Sequence, residues 1–290
     1  MTASPLVDVA QRVQNTGNAA ARPPIPWGAW GLRGAALSYL GLLILLPVLA
    51  ISVQGFRAGW ESFWTSITRP AVLHAVGLTL WTSAVMTVIN TVMGVLTAWA
   101  LVNYRFPGKR IMNALIDLPF AIPALVTGVM LVLLYGPQTA IGGFFEKQLG
   151  VRIIFAPPGI VLALLFISYP FVIRAVQPVL QSLEPNQQEA AQVLGASPWV
   201  AFRRVILPEI APAVITGALL CFARALGEFG SIIIVGGNLP MKSQTAAVYI
   251  YAQVEGDNFQ GASAVSLVLL VIAFSITLGV DFLMRRRHHA

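Results

Sequence analysis

An arginine and a glutamate stand four residues apart inside an otherwise apolar stretch of this sequence, as Arg224 and Glu228. On insertion scales each costs about 2.5–3.5 kcal/mol at the centre of a membrane helix, so both are expected to face protein or water. A helical period brings Gly217, Cys221 and Ser231 to the same face, which is therefore small and polar. Two roles fit this face: Arg224 compensates the charge of an anion on a permeation path, or the two charges form an intrahelical ion pair that locks the helix against its neighbours.

No other group of residues in the sequence has a spacing typical of catalysis. The histidines are His74, His288 and His289, and none stands with carboxylates at the spacing of a metal or proton-relay site. Cys221 is the only cysteine, which excludes a disulfide or a CxxC metal site within one chain. A GxxxxGK[ST] nucleotide motif does not occur, so energy must come from another polypeptide or an ion gradient. The sequence thus predicts no enzyme activity, no cofactor and no metal.

The elements that must position the charged pair are long apolar segments. Hydrophobic residues make up 57% of the chain and charged residues 10%, whereas soluble domains are about 25% charged. A membrane helix needs about 20 mostly apolar residues. Windows of that kind occur at residues 34–56, 75–104, 118–145, 153–173, 210–236 and 258–280. The chain is therefore predicted to be an all-α integral membrane protein with six transmembrane helices, kinked at Pro119, Pro123 and Pro170.

The net charge of +7 is interpreted as membrane topology, because the basic residues cluster in short loops beside the apolar windows. Six spans divide them into two alternating sets, of which the larger is expected in the cytoplasm. The larger set is Arg12, Arg22, Arg33, Arg105, Lys109, Arg110, Arg174, Arg203, Arg204, Arg285, Arg286 and Arg287. The smaller set is Arg57, Arg69, Lys147, Arg152 and Lys242. Both termini are thus predicted to be cytoplasmic.

These boundaries divide the chain into four parts. Residues 1–32 are predicted to be a flexible cytoplasmic N-terminal tail, because no apolar period in them is strong enough to bury a face. Residues 33–71 hold the first transmembrane helix and an outer loop, and residues 72–284 form the main transmembrane domain. Residues 285–290 are a basic C-terminal tail.

A cytoplasmic stretch between the fourth and fifth spans, residues 184–208, carries helix signals of its own. A Glu-Pro pair at 184 and 185 is typical of a helix start, and Gly195 supplies the permissive position after a helix C-terminus. A Ser-Pro pair at 197 and 198 repeats the start signal, and Pro208 is expected to stop the second helix. The predicted product is two short helices joined by a tight glycine turn.

This stretch resembles the EAA signature of ABC importer permeases, and within the pattern only Val205 departs from it. The residues that the resemblance assigns to ATPase coupling are Glu189, Ala190, Ala191, Gly195, Leu207 and Pro208. The resemblance implies the fold of a type I ABC importer permease, in which segment 184–208 is the coupling helix region and docks into a groove on a cytoplasmic ATPase subunit. A short helix in a groove transmits rigid-body motion better than a flexible loop does.

A second resemblance lies in the Ala-Leu-Gly-Glu-Phe-Gly-Ser run at residues 225–231 and the Gly-Gly-Asn-Leu-Pro run at 236–240. Both resemble the oxyanion branch of that family, the sulfate, thiosulfate and molybdate permeases. The second run is more similar to the sulfate/thiosulfate T-type subunit than to the molybdate one, although Phe229 stands where the sulfate type often has Tyr. The residues expected on the translocation path are Arg224, Glu228, Ser231 and Asn238.

The partners follow from the same resemblance. In such importers an extracytoplasmic sulfate/thiosulfate-binding protein delivers the anion, and two cytoplasmic ATP-binding subunits drive two related permeases, here expected to form a heterodimer. The chain is then one permease subunit of an ATP-driven oxyanion importer, surrounded by lipid in the bacterial inner membrane. ATP hydrolysis is expected on the partner chains.

Other interpretations of the same residues stay open. Segment 184–208 also fits an ordinary amphipathic interfacial helix pair, and Ala190, Gly195 and Ser197 imitate the spacing of a DNA-binding helix-turn-helix. About 35 residues between two spans cannot supply the core that a DNA reader needs, so no nucleic acid partner is expected. The alternative functions are a permease for molybdate or another anion, an ion-coupled carrier or channel acting without an ATPase, and a membrane-anchored signalling protein.

Overall fold

The computed structural model describes residues 27–183, 195 and 197–288. These residues lie in helices and short loops, with no strand among them, so the predicted all-α fold is confirmed for this part of the chain. In chain order the helices are α1 (Trp27–Phe56), α2 (Gly59–Ile67), α3 (Pro70–Asn103), α4 (Lys109–Ala121), α5 (Ala124–Tyr135), α6 (Ala140–Leu149), α7 (Pro157–Ser182), α8 (Pro198–Ala201), a π-helical turn (Phe202–Ile206), α9 (Leu207–Leu226), α10 (Gly230–Val235), α11 (Ala246–Glu255) and α12 (Phe259–His288).

The long apolar helices match the six predicted spans. Among the described residues, five helical segments are long and apolar enough to cross a membrane: Trp30–Phe56, Pro70–Asn103, Pro157–Ser182, Trp199–Leu226 and Phe259–Val280. Helices α4 and α5 together make a sixth span if the bent pair counts as one, with an angle of 111° between them. Each predicted span therefore has a helical counterpart, and the third is strongly bent.

The bend in the third span is a complete break at Ile122 and Pro123. A proline disfavours the helical conformation in the residue before it, and Ile122 is extended, with φ −88° and ψ 127°. Pro123 has φ −58° and ψ 140°, and it lacks the N–H that would continue the helical hydrogen bonds. In contrast, α4 runs through Pro119 and α7 runs through Pro170.

The fifth span is also broken, so the predicted continuous helix over residues 210–236 is wrong. Helix α9 ends at Leu226 and α10 begins only at Gly230. Gly227, which follows α9, has φ −93° and ψ 4°, and glycine is a poor helix former. Glu228 consequently lies between two helices, and the single polar face that the helical period predicted does not continue past Leu226.

Helix α8, the π-helical turn and α9 form one helical path, so the predicted stop at Pro208 is also wrong. The Leu207 N–H donates to the carbonyl of Phe202, five residues earlier, and such a turn is wider than an α-helical turn. A proline inside a regular α-helix clashes with the preceding turn. The widened turn just before Pro208 leaves room for its ring, and the helix continues.

The two ends of the described chain are more helical than predicted. Helix α1 begins at Trp27, before the predicted boundary at residue 33, and residues 1–26 lie outside the described part. Residues 27–50 belong to a compact unit separate from residues 51–288. Helix α12 extends to His288, which includes the basic residues 285–287 that were predicted to form a tail.

Helix α7 packs against both α3 and α9 in the larger unit. A Cβ added at Gly94 of α3 would lie 2.8 Å from the Val172 Cβ, and one at Gly217 of α9 would lie 2.9 Å from the Val172 Cα. Small residues let membrane helices approach this closely. The buried side chains around this contact include Met86, Ile160, Leu164, Ile173, Val176 and Ile210. This packing fixes the helix end from which the charged pair projects.

Candidate functional site

Glu228 lies in the break of the fifth span and joins the two helices on either side of it. Its side chain is 3% exposed, and its Oε2 accepts a 2.6 Å bond from Arg224 Nη1. The other oxygen, Oε1, accepts bonds from the Ser231 backbone N–H at 2.8 Å and from the Ser231 hydroxyl at 2.9 Å. A carboxylate is stabilised at a helix N-terminus, where backbone N–H groups lack partners. Glu228 therefore ties the end of α9 to the first turn of α10.

Arg224 differs from its partner because it is only partly buried. Its side chain is 37% exposed, and among the described residues its only hydrogen bond is the one to Glu228. A guanidinium has five N–H donors. Most of the donors of Arg224 are thus available to a ligand, which is the property an anion-binding side chain requires.

The exposed part of Arg224 faces a cavity of about 240 Å³. The other residues that line it are Pro119, Phe120, Ile122, Ala124, Ile167 and Phe171. They belong to both halves of the broken third span and to α7. The cavity therefore lies at the break in the third span, with Arg224 as its charged residue.

The two broken spans meet at this point. A Cβ added at Gly230 would lie 2.9 Å from the Ala124 Cβ, and one added at Gly128 would lie 2.9 Å from the Ser231 carbonyl oxygen. Helix α10 thus packs directly on α5, next to the break in each span. The cavity itself is lined by the two halves of the third span, by α7 and by Arg224 of α9.

The structure brings together three of the four residues predicted on the path. Arg224, Glu228 and Ser231 are hydrogen-bonded to one another, but Ser231 is fully buried and its hydroxyl is used by Glu228. Asn238 lies in the loop after α10, where its Oδ1 accepts a 2.5 Å bond from Gln244 Nε2, and none of its described contacts is with the other three. Of the four residues predicted on the path, only Arg224 lines the cavity.

The predicted coupling residues are described only in part. Glu189, Ala190 and Ala191 lie outside the described residues. Gly195 has a left-handed φ of +83° and is exposed, a conformation that favours glycine over residues with a Cβ. The side chains of Leu207 and Pro208 are exposed at the start of α9.

Arg174 and Asp117 form a second ion pair, which the sequence interpretation missed. Arg174 Nε donates to Asp117 Oδ1 at 2.8 Å, and Nη2 donates to Oδ2 at 2.6 Å. Further bonds run from Nη1 to Gln177 at 2.8 Å and to the Asn113 side chain at 3.4 Å, and from Nη2 to the Asn113 carbonyl at 3.1 Å. The only signal in the sequence was spacing, since Asn113 and Asp117 share one helix face and Arg174 and Gln177 another.

One tyrosine near the break has a shifted pKa. The ring of Tyr251 in α11 lies 4.8 Å from the ring of Phe229, and its hydroxyl donates a 2.6 Å bond to Glu255. That hydrogen bond and the negative charge of Glu255 raise the pKa of Tyr251 above its ordinary value. Tyr251 is therefore neutral near pH 7 and can only donate to this carboxylate.

Known sequences similar to this chain are transport permeases. The family model described as binding-protein-dependent transport system inner membrane component matches residues 90–289. The probable sulfate transport system permease protein cysT of Chlorokybus atmophyticus is 40% identical over 273 residues, which cover 94% of each protein. The sulfate transport system permease protein CysT of Escherichia coli (strain K12) is 38% identical over 256 residues, covering 87% of this chain and 91% of that protein.

Solved structures with a similar fold are ABC importers. A bacterial ABC transporter involved in the import of alginate matches with a TM-score of 0.74 at 20% identity, covering 90% of this chain and 96% of the other. The MetNI methionine ABC transporter in an inward-facing conformation matches with a TM-score of 0.57 at 21% identity, covering 74% and 94%. The predicted type I importer permease fold is thereby confirmed. With this fold and these relatives, the chain belongs to the family of binding-protein-dependent transport system inner membrane components, alongside the CysT sulfate permeases.

Proposed function

We propose that this chain is a permease subunit that carries sulfate, and the related anion thiosulfate, across the membrane under the power of a separate ATPase. The observation that carries the proposal is the position of Arg224, a partly exposed arginine in a cavity between two broken spans, in a chain similar to sulfate permeases. An anion that crosses a bilayer needs a compensating positive charge inside it.

The pairing of Arg224 with Glu228 suits a site that an anion passes through better than a site that binds an anion tightly. A site on a transport path must attract its ion and also release it. Glu228 neutralises much of the positive charge of Arg224 in the resting cavity, since their atoms lie 2.6 Å apart. A dianion such as sulfate therefore competes with Glu228 for the guanidinium, and its binding stays weak enough for release.

A single helical segment connects the proposed docking region to the cavity. Trp199–Leu226 has 28 residues, or roughly 40 Å at 1.5 Å per residue. One end follows the exposed Gly195, and the other carries Arg224. A movement of the coupling segment 184–208 on an ATPase would thus reach the cavity along this helical segment. The π-helical turn at Phe202–Ile206 is the candidate hinge, and the part beyond it, Leu207–Leu226, moves as one element.

The partners and the location complete the proposal. One of two cytoplasmic ATPase subunits docks at segment 184–208, where Glu189 pairs with a basic residue of the ATPase, and the other docks on the second permease. An extracytoplasmic sulfate/thiosulfate-binding protein delivers the anion, and a second related permease forms the other half of the path. Both termini are cytoplasmic, and the complex lies in the bacterial inner membrane, as the family description and the distribution of basic residues support.

Sulfate uptake tests the anion and the role of Arg224 together. Cells that lack sulfate uptake and express this chain with its partners should accumulate labelled sulfate, with thiosulfate competing more strongly than molybdate. Arg224→Gln should lower uptake about tenfold or more, because a charge-assisted hydrogen bond is worth about 1.5–3 kcal/mol. The matched control is Arg110→Gln, an exposed arginine at the start of α4. Normal uptake by Arg224→Gln at equal membrane levels would reject its role, and stronger competition by molybdate would favour the molybdate alternative.

Copurification tests the coupling segment. Glu189→Arg or Gly195→Val should abolish association with the ATPase while the chain still inserts into the membrane. The Gly195 substitution acts through its φ of +83°, a conformation that costs about 1–2 kcal/mol in other residues. Retained association in both variants would reject the docking assignment.

A further inference from the structure

The ion pair of Arg174 and Asp117 joins α4 to α7 with more hydrogen bonds than a partly exposed ion pair usually has. Arg174 is 33% exposed and Asp117 is 51% exposed, and ion pairs in such positions contribute little to stability. Yet Arg174 makes five described hydrogen bonds, two of them bidentate to one carboxylate. A bidentate pair fixes orientation as well as distance.

Arg174 and Arg224 use their hydrogen-bond donors in opposite ways. Arg174 has a described acceptor for each of its five N–H groups, all supplied by α4 and α7. Arg224, in the cavity, gives one bond to a described residue. Arg174 is therefore occupied by protein groups and is poorly suited to take an anion.

Helix α4 depends on α7 for its position. Ile116 is its one buried residue, and α7 is its main neighbour among the described helices. Two contacts lie one turn apart along this pair: the bonds of Arg174 to Asp117, and the edge-to-face packing of Phe120 on Phe171, with ring centres 5.4 Å apart. Both phenylalanines line the cavity of Arg224.

We propose that Arg174 is a positioning residue for transport: through Asp117 it holds α4 against α7 and so sets the place of Phe120 beside Arg224. The inference rests on the proposed transport function, because it assigns the cavity to the path of the anion. We call the ion pair of Arg174 and Asp117 the clamp. When the clamp opens, α4 is free to move about the break at Pro123, and the Phe120 side of the cavity opens with it.

A thiol in the cavity reports on the clamp without reference to transport. Ile122 lines the cavity, so Ile122→Cys in a Cys221→Ala background places one cysteine there. In the assembled transporter in membrane vesicles, Asp117→Asn or Arg174→Gln should raise the rate of reaction with a small thiol reagent several-fold. The matched control, Glu146→Gln on α6, removes an exposed carboxylate away from the clamp and should leave the rate unchanged.

The same vesicles separate failure of the clamp from failure of the proposed function. Clamp variants should also carry fewer sulfate ions per ATP hydrolysed, which a loss of folded protein alone would not change. If the labelling rate rises but no form of the chain imports sulfate, the clamp stands and the transport assignment falls. If wild type imports sulfate and neither the labelling rate nor the ratio of sulfate to ATP changes, the clamp is rejected.

Conservative variants keep the test valid if the first ones fail to reach the membrane. Arg174→Lys retains the charge but cannot make the bidentate contact. It should therefore give a labelling rate between those of the intact and the broken clamp. A wild-type rate in Arg174→Lys and in Asp117→Glu would overturn the proposal.

Discussion

Replacement of Glu228 separates the structural member of the charged pair from the member that meets the anion. Glu228→Ala removes one hydrogen bond from Arg224 and two from Ser231. Ser231 is fully buried, so its N–H and hydroxyl are left without an acceptor at about 1–3 kcal/mol each. Membrane hydrogen bonds measured in cycles average only about 0.6 kcal/mol. The loss at partly exposed Arg224 adds about 1 kcal/mol or less.

These values together predict that Glu228→Ala destabilises the protein by about 3 kcal/mol. Glu228→Gln keeps an oxygen that accepts from Ser231 and loses only the charge that faces Arg224, so its cost should be about 1 kcal/mol. The assay is the thermal unfolding midpoint of the purified transporter, with Glu146→Gln as a control at an exposed carboxylate on α6. The order of midpoints should be control, Glu228→Gln, then Glu228→Ala.

Uptake by the same variants gives the second half of this prediction. Glu228→Gln leaves Arg224 with an unneutralised charge, so sulfate should bind more tightly and leave more slowly, which lowers both the apparent KM and the maximal rate. Unchanged midpoints in Glu228→Ala would refute the assignment of Glu228 as the link between α9 and α10. An unchanged KM in Glu228→Gln would refute its competition with the anion.

Two further predictions concern packing and ionisation. Gly217→Ala should lower the amount of folded protein in the membrane, because the new Cβ would lie 2.9 Å from the Val172 Cα and overpacking costs about 1–3 kcal/mol. The control Gly279→Ala, where a new Cβ has nothing within 4 Å, should leave that amount unchanged. Equal losses in both variants would refute the close contact. Glu255→Ala should return the pKa of Tyr251 to about 10, as read from phenolate absorbance against a Tyr251→Phe reference. Because the pKa of Tyr251 is raised in the folded protein, its contact with Glu255 contributes stability below about pH 10, which is lost as the pH rises through the folded pKa. A Tyr251 titration that does not change in Glu255→Ala would contradict the stated cause.

The spans could be predicted from the sequence because hydropathy is a local property. Every window of about 20 apolar residues has a helix. An intrahelical ion pair of Arg224 and Glu228 was one of two roles that the sequence left open. The structure shows the two side chains paired, but with Glu228 beyond the end of α9. The breaks were harder to predict, because a proline or glycine in a membrane helix is compatible with a continuous helix, a bend or a break. Pro123 breaks its span, whereas Pro170 and Pro208 do not.

Contacts between distant parts of the chain could not be predicted from one sequence. Asp117 and Arg174 are 57 residues apart, and the spacing that places each on a polar helix face does not show that the two faces meet. The cavity at Arg224 likewise combines residues of the broken third span with residues of α7 and α9 that are distant in the sequence. Its charged residue was identifiable as a costly arginine in an apolar segment, but the residues that line it were not.

Transport by purified components tests the central claim most directly. Vesicles that contain this chain, a related second permease and the ATPase, with the binding protein outside and ATP inside, should accumulate labelled sulfate. The same vesicles with a non-hydrolysable ATP analogue, or with the Glu189→Arg chain, should accumulate none. Equal accumulation without the ATPase, driven by an ion gradient, would contradict the account and identify the chain as a carrier that acts alone.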